Sequence, residues 1–311
     1  MKALRTDEVA AALLFDALFG EPPEVLHPTV WMGYAISVCE RGAPGSESPR
    51  LRYLAGVLLA ASLPTLVCVL ARWLLDLTPP RLRLAFEAAL LSTTLSMRGL
   101  AEAAAAVERE LRGGDLERAR ASASKMVGRD TEALPEREIA RAAVESVAEN
   151  TSDGVVAPML YGLLLGAPGA LAYKAVNTLD SMVGYRSHPF AELGWASARL
   201  DDVANVVPAR LTTLIVAAVS GRPLHSLHTA RRYGPLTASP NAGWVEAAFA
   251  GALDSRLGGT NVYGGVVSEG PILGSGRPPG AGEIRRSVEL MRRCCALLAV
   301  VAVLAGRVRL G

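Results

Sequence analysis

From Tyr53 to Leu75 the chain is apolar almost without a break, and Arg72 near the end of the run is its single charged residue. A helix of about 20 mainly apolar residues is what crosses a bilayer, and a charge near its end can snorkel to the interface. Val155 to Val176 is as long but carries Pro158, Gly162, Gly166, Pro168 and Gly169, and Val203 to Ser220 has Pro208 and Arg210 near its start. Val9 to Phe19, Leu84 to Met97 and Cys294 to Ala305 are apolar but short. The pattern predicts an all-α, polytopic integral membrane protein: one membrane domain over residues 1–311 with four to six membrane segments, some of them re-entrant.

Composition agrees. The 311 residues are 50% hydrophobic and 20% charged, and mean hydropathy is +0.28, whereas soluble domains carry more charge. Aromatics are 5%, so the apolar weight is Ala, Leu and Val, a mixture suited to helices packed closely in lipid. The net charge of +2 and the lack of a basic run with interleaved aromatics exclude nucleic acid as a partner. Cys39, Cys68, Cys294 and Cys295 form no Cys-x-x-Cys pair, so neither a disulfide framework nor a zinc site is expected. Lys2 and Arg5 before an apolar stretch imitate a signal peptide, but Asp16 interrupts it and no small-x-small cleavage site follows, so a retained first segment is expected.

Two polar stretches, residues 98–154 and 221–293, carry most of the arginines and face the cytoplasm by the positive-inside rule. In the first, Gly113-Gly114 breaks an Ala- and Glu-rich helix, and Pro135 with Glu136 and Glu138 reads as the start of another. If residues 155–176 crossed the bilayer, the polar segment 177–202 would lie opposite both stretches. A broken, re-entrant segment resolves this by placing a site at membrane depth, reached from the cytoplasm.

Chemistry concentrates in a few blocks. Glu145, Glu149 and Asp153 recur every four residues, so on one helix face they repel and call for a cation or basic partners; for Glu145 a solvated acidic face is an equal alternative. Lys174, Asn177, Thr178, Asp180, Ser181 and Arg186 crowd beside an apolar segment, which is costly unless ligand or protein satisfies them. Asp201-Asp202, Asn205 and Arg210 repeat the theme; paired carboxylates suggest magnesium, with helix N-capping as the competing reading. Ser239-Pro240-Asn241 precedes an Ala-rich helix with Glu246 that can offer backbone N–H groups to phosphate. His27 reads as a structural hydrogen bonder, and His225 with His228 lacks a third metal ligand. No phosphate-loop or dinucleotide fingerprint occurs.

These blocks, in this order, resemble the membrane-bound adenosylcobinamide-phosphate synthases of cobalamin biosynthesis. The resemblance rests on Asp16 to Pro23 with His27-Pro28 and Met32-Gly33; Gly128-Arg129-Asp130-Thr131; Ala143 to Gly154; Lys174 to Tyr185; Asp201 to Arg210; and Ser239 to Gly259. It covers nearly the whole chain and weakens after Tyr263. It implies a ligase of the cell (inner) membrane using ATP and Mg²⁺, which joins the free carboxyl of adenosylcobyric acid to (R)-1-aminopropan-2-ol or its O-phosphate, through an acyl phosphate. Contacts with other cobalamin-assembly enzymes stay open. By residue type, Glu149, Asp153, Asp180, Asp201 and Asp202 are the expected metal ligands. Lys174, Arg129 and Arg210 are the catalytic candidates; Asn150, Asn177, Ser181, Arg186, Asn205, Ser239, Asn241 and Glu246 are expected to bind substrate or nucleotide. The competing classes are a corrinoid-binding membrane transporter and an inner-membrane sensor without catalysis.

Overall fold

The computed structural model describes residues 6–184 and 191–307, with side chains to residue 304. Among them helix dominates. In chain order the helices are α1 Thr6–Phe19, α2 Pro28–Arg41, α3 Pro49–Leu77, α4 Pro80–Ser92, α5 Met97–Arg112, α6 Leu116–Ala123 and α7 Glu136–Thr151. They continue as α8 Ala157–Leu165, α9 Ala167–Val183, α10 Trp195–Ala204, α11 Val206–Val219, α12 Pro223–Tyr233, α13 Ala242–Leu253 and α14 Ala281–Arg307. The expected all-α class holds in its main feature. The additions are β1 Leu257–Gly258 paired antiparallel with β4 Ile272–Leu273, and a hairpin of β2 Asn261–Tyr263 with β3 Val266–Ser268.

Contacts sort the chain into two compact units. The first is Met1–Ser96, Ala157–Asn205 and Ala299–Gly311; the second is Met97–Val156 and Val206–Leu298, so both long polar stretches fall in the second.

The first unit is organised on α3. Its 29 residues measure about 43 Å at 1.5 Å per residue, ample for the ~30 Å hydrocarbon layer. Leu59, Leu63 and Ala71 of α3 pack with Met32 and Ile36 of α2 and with Leu171, Ala175, Leu179 and Val183 of α9. The segment leading into α10 also comes close to α3, because Gly56 has no side chain: a Cβ there would lie 2.1 Å from the Leu193 carbonyl oxygen. The opposite face of α3 is bare. Leu54, Leu58, Leu66, Leu70, Trp73 and Leu77 are all exposed, at helical spacing.

Long apolar helices match the four to six expected membrane segments only in part. Among the described residues α3 alone is long and apolar enough to cross a membrane, and α10 with α11 qualifies only if the broken pair counts as a single span. The reason lies in the breaks. Residues 155–176 do not form one helix: a π turn over Ser152–Val156 leads into the nine-residue α8, and Gly166 at φ 77° ends it before α9. Val203 to Ser220 is interrupted at Asn205. The last apolar run belongs to α14, whose first half carries Arg285, Arg286, Arg292 and Arg293.

The second unit is built round α7. Every residue from Ile139 to Ala148 is buried, and Ala at four of these positions lets neighbouring helices approach. Helix α5 presents Ala101, Ala104, Val107 and Leu111 inward, with ion pairs Arg98–Glu102 and Arg112–Glu108 on its outside. It stops at Arg112, where Gly114 takes φ 74°, and Asp115 caps α6 by accepting from the Arg118 N–H at 3.1 Å. Pro135 stands one position before the first helical residue of α7, at the N-cap.

Candidate functional site

The second unit holds a buried charge network centred on Glu145, which is 4% exposed. One carboxylate oxygen accepts from Arg129 Nη2; the other accepts from Arg141 Nη1 at 2.9 Å and from the Gly258 backbone N–H at 2.7 Å. Asn261 Oδ1 accepts from Arg129 Nη1 at 2.7 Å and Arg141 Nη2 at 2.9 Å, and Arg141 also reaches the Thr260 carbonyl and Glu138. Glu145 is therefore a partnered core residue, and the solvated-face alternative is excluded. Ion pairing raises the Arg141 guanidinium above its usual range, more than offsetting its burial. Arg141 could have been anticipated, since it lies four residues before Glu145 on the same helix. Asn261 and Gly258, more than a hundred residues on, had no local signal.

The network borders two open clefts. One of about 800 Å³ is lined by Arg137, Arg141, Arg256, Gly258 and Thr260. The other, of about 640 Å³, is lined by Arg120, Arg129, Asp130 and the Gly264–Gly265 turn of the β2–β3 hairpin. Asp130 holds that turn by accepting from both glycine N–H groups, at 3.0 and 2.7 Å, in the manner of an anion in a backbone nest.

Other expected residues of this unit take definite places. Arg210 donates to Asn241 Oδ1 at 2.9 Å and lies 4.6 Å over the Trp244 ring. Ser239 Oγ accepts from the N–H groups of Asn241 and Ala242, so it organises the start of α13. Glu246 is half-buried on α13; burial, together with Glu145 and Glu149, holds its carboxyl well above the usual range against the opposing Arg129 and Arg141. Glu149 is exposed on α7, Asn150 is bonded back to the Ser146 carbonyl at 2.9 Å, and Asp153 stands in the π turn. Such π turns recur at functional sites.

The first unit holds a polar seam between α9 and α10, which run antiparallel. At one end a Cβ on Gly194 would lie 1.6 Å from the Val183 carbonyl oxygen; at the other, Tyr173 OH donates to Asn205 Oδ1 at 2.8 Å. Between them Asp201 accepts from Asn205 Nδ2 at 2.9 Å through Oδ2, with the Asn177 side-chain amide of α9 as a second hydrogen-bonding neighbour and Asp180 as a like charge. Ser197 Oγ, one turn earlier, is buried and meets no hydrogen-bond partner. The N-capping alternative for Asp201-Asp202 is overturned: both lie in the last turn of α10, the end where carboxylates are disfavoured by the helix dipole. Asp202 pairs with Arg199 at 3.2 Å.

Lys174 Nζ stands 3.5 Å from Asn177 Oδ1, and Ser181 Oγ is bonded back to the Asn177 carbonyl. His27 caps α2 by accepting from the Thr29 N–H at 3.2 Å, and its other nitrogen is 3.5 Å from Glu21. That hydrogen bond, with His27 and Lys174 as further favourable neighbours, holds the Glu21 carboxyl below its usual range despite partial burial. Arg186 lies outside the described residues. All four cysteines are free. Among the described residues no three or more His, Cys, Asp and Glu side chains converge as a metal cage.

Fold and sites define a predominantly helical protein whose polar chemistry is carried on helices, with guanidinium groups bordering open clefts in one unit and an acidic seam in the other. The sequence matches the family model described as CobD/Cbib protein over residues 9–291. Proteins named cobalamin biosynthesis protein CobD align with it closely. The one from Halalkalibacterium halodurans is 42% identical over 302 residues, 94% of each chain. That from Rhodobacter capsulatus is 42% identical over 92% of this chain and 90% of its own, and that from Klebsiella pneumoniae 43% over 90% and 91%. No solved structure matches. The chain belongs to the CobD/Cbib family.

Proposed function

We propose that this protein acts in cobalamin biosynthesis as an ATP- and Mg²⁺-dependent amide ligase of the cell (inner) membrane. It joins the free propionate carboxyl of adenosylcobyric acid to the amine of (R)-1-aminopropan-2-ol or its O-phosphate. The carboxylate oxygen takes the terminal phosphoryl group of ATP, whose bond to the departing ADP oxygen breaks, and becomes an acyl phosphate; the amine nitrogen then attacks the carbonyl carbon, the C–O bond breaks, and phosphate leaves with a proton lost from nitrogen. Little covalent chemistry falls to the protein; charge neutralisation and positioning carry such transfers.

The observation that carries this reading is the Arg129–Glu145–Arg141 network along two clefts of the second unit. Planar guanidinium groups pre-set by a shared carboxylate suit phosphate and carboxylate oxygens. Magnesium takes one or two carboxylates and fills its remaining positions with phosphate oxygens and water. The pair Glu149 and Asp153, or Asp180 with Asp201, fits that demand, whereas Glu145 is committed to arginine. The bare apolar face of α3 and the exposed leucines and aromatics of α1 and α2 support membrane residence, with the arginine-rich stretches 98–154 and 221–293 facing the cytoplasm.

Purified protein in detergent, given adenosylcobyric acid, aminopropanol phosphate and Mg·ATP, should form the amide with release of ADP. Corrinoid bound intact, without nucleotide-dependent product, would overturn the ligase reading and leave a corrinoid-binding protein.

A further inference from the structure

We propose that the cleft between Arg137 and Arg256 binds a phosphoryl group carried by one of the substrates. That the bearer is a substrate rests on the ligase reading; the anion site itself rests on the second unit alone.

The two clefts of this unit differ in charge. The larger carries three guanidinium groups, of Arg137, Arg141 and Arg256, against the carboxylates of Glu136 and Glu138. The smaller reverses the balance, with Arg120 and Arg129 against Glu117, Asp130 and Glu132. Its arginines are also committed. Arg120 donates to Glu117 at 2.7 Å and to the Leu134 carbonyl at 3.0 Å, and Arg129 donates to Glu145 and Asn261. A phosphate placed there meets a surplus of carboxylates.

In the larger cleft Arg141 is committed in the same way, to Glu138, Glu145 and Asn261. Arg137 and Arg256 are not. Both are exposed, and neither guanidinium has an ion-pair or hydrogen-bond partner among the described residues. Glu136 does not neutralise Arg137, because adjacent residues of a helix do not face each other. Arg137 and Arg141 do share a face of α7, four residues apart, where like charges repel. An anion beside Arg137 relieves that repulsion.

Both free guanidinium groups stand on fixed backbone. Arg137 lies in the first turn of α7, just before the stretch buried from Ile139 to Ala148. The Arg256 N–H donates to the Arg277 carbonyl at 2.9 Å, and the next residue, Leu257, pairs with Leu273 between β1 and β4. Gly258, at φ 71°, lets this segment lie against Pro271, whose carbonyl oxygen would be 2.2 Å from an added Cβ. Anchoring of this kind reduces the freedom lost on binding. The start of α7, with Pro135 and Glu136 in the same wall, adds the positive end of the helix dipole.

The charge selects the ligand class. Guanidinium groups match carboxylate and phosphate alike, but two uncommitted ones from separate elements suit the roughly two negative charges of a phosphate monoester. The volume of about 800 Å³ also admits whatever the phosphate is attached to. Two bearers share this chemistry: the polyphosphate of ATP and the O-phosphate of the aminopropanol.

The test is a calorimetric titration of the full chain in neutral detergent with magnesium, using two pairs of probes. One pair is a non-hydrolysable ATP analogue and adenosine; the other is 1-aminopropan-2-ol O-phosphate and 1-aminopropan-2-ol. In at least one pair the phosphorylated member should bind about a hundredfold tighter. Arg137→Gln and Arg256→Gln should each remove about tenfold of that margin, as expected for one charged hydrogen-bonding contact. The pair that responds names the bearer. Arg109→Gln, at an exposed position of α5 that lines neither cleft, should leave both margins unchanged. If one cleft variant fails to fold, the other decides. Equal affinity within both pairs, margins unmoved by the cleft variants, or an equal loss in Arg109→Gln overturns the proposal. Turnover separates this outcome from that of the ligase. A margin lost in the variants, in a protein that makes no amide, keeps the anion site and removes the ligase. Amide formation whose KM for ATP and for the amine is unmoved by both variants keeps the ligase and removes the site.

Discussion

In the second unit the Glu145 carboxylate meets two guanidinium groups and a backbone amide, and both guanidinium groups are fixed in turn by Asn261, Thr260 or Glu138. In the first unit the Asp201 carboxylate meets no guanidinium: two neutral amides, Asn205 and Asn177, are its hydrogen-bonding neighbours, and Asp180 is a like charge beside it. The surfaces differ in the same sense. Large exposed apolar side chains run along α1, α2 and α3 of the first unit, while in the second they are confined to α11, two leucines of α12 and the following turn, and the strand region. The difference teaches that polarity and satisfaction are separate properties. The charge network of the more charged unit is internally neutralised, although Glu110 Oε2 and Ser152 Oγ are buried there without a partner, as Ser197 Oγ is in the more apolar unit. A network already satisfied serves to hold geometry.

The largest effect expected from breaking this contrast is at Glu145. Glu145→Gln leaves Arg129 and Arg141 buried without their shared counter-charge, a change worth about 3–5 kcal/mol. Hydrogen exchange should show α7 amides opening faster by two orders of magnitude or more, with α9 amides unchanged. Equal loss of protection in α7 and α9 would mean that the network does not stabilise the second unit separately. Next in size is the surface. Leu58→Arg, at a position 69% exposed near the middle of α3, puts a charge where lipid contact is proposed and should cost about 2.5–3.5 kcal/mol of insertion. The variant should shift from the membrane fraction to aggregates. Leu224→Arg, at an even more exposed position of the second unit, should leave fractionation unchanged; a matching loss there would remove the distinction between the two surfaces.

How much of this could be read from the chain varies with the range of the interaction. The helix breaks at Gly113-Gly114 and the start of α7 were legible because they depend on local backbone chemistry. So was α3, whose run has a single charge. The break within residues 155–176 was not placed, since hydropathy sums across Gly166 and cannot see that its backbone turns there. The N-capping alternative for Asp201-Asp202 falls for a related reason: an acidic pair before an apolar run looks like a cap until the preceding residues, Trp195 to Leu200, prove helical. Ser197 carried no sequence signal at all. A serine in a helix is ordinary; only its complete burial without a partner sets it apart.

The smallest expected effect concerns Glu246, and its sign tests the contrast from beside the Glu145 network. Its carboxyl is held above the ordinary value near 4.5 by burial and by Glu145 and Glu149, with Arg129 and Arg141 opposing. A carboxyl raised in the folded state adds stability that is fully present below its unfolded value and is lost as pH rises through its folded value. Glu246→Gln stays neutral throughout, so its melting temperature should match that of the wild type near pH 4.5 and exceed it by a margin, a few degrees at most, that widens toward pH 9. A margin that is flat with pH, or that narrows as pH rises, would mean that Arg129 and Arg141 compensate Glu246 fully. If amide formation falls while stability rises, the strained carboxyl is kept for its function, as stability–activity trade-offs at working sites predict. If activity is untouched, Glu246 is a cost left over from packing α13 on α7, and the network around Glu145 needs no third carboxylate.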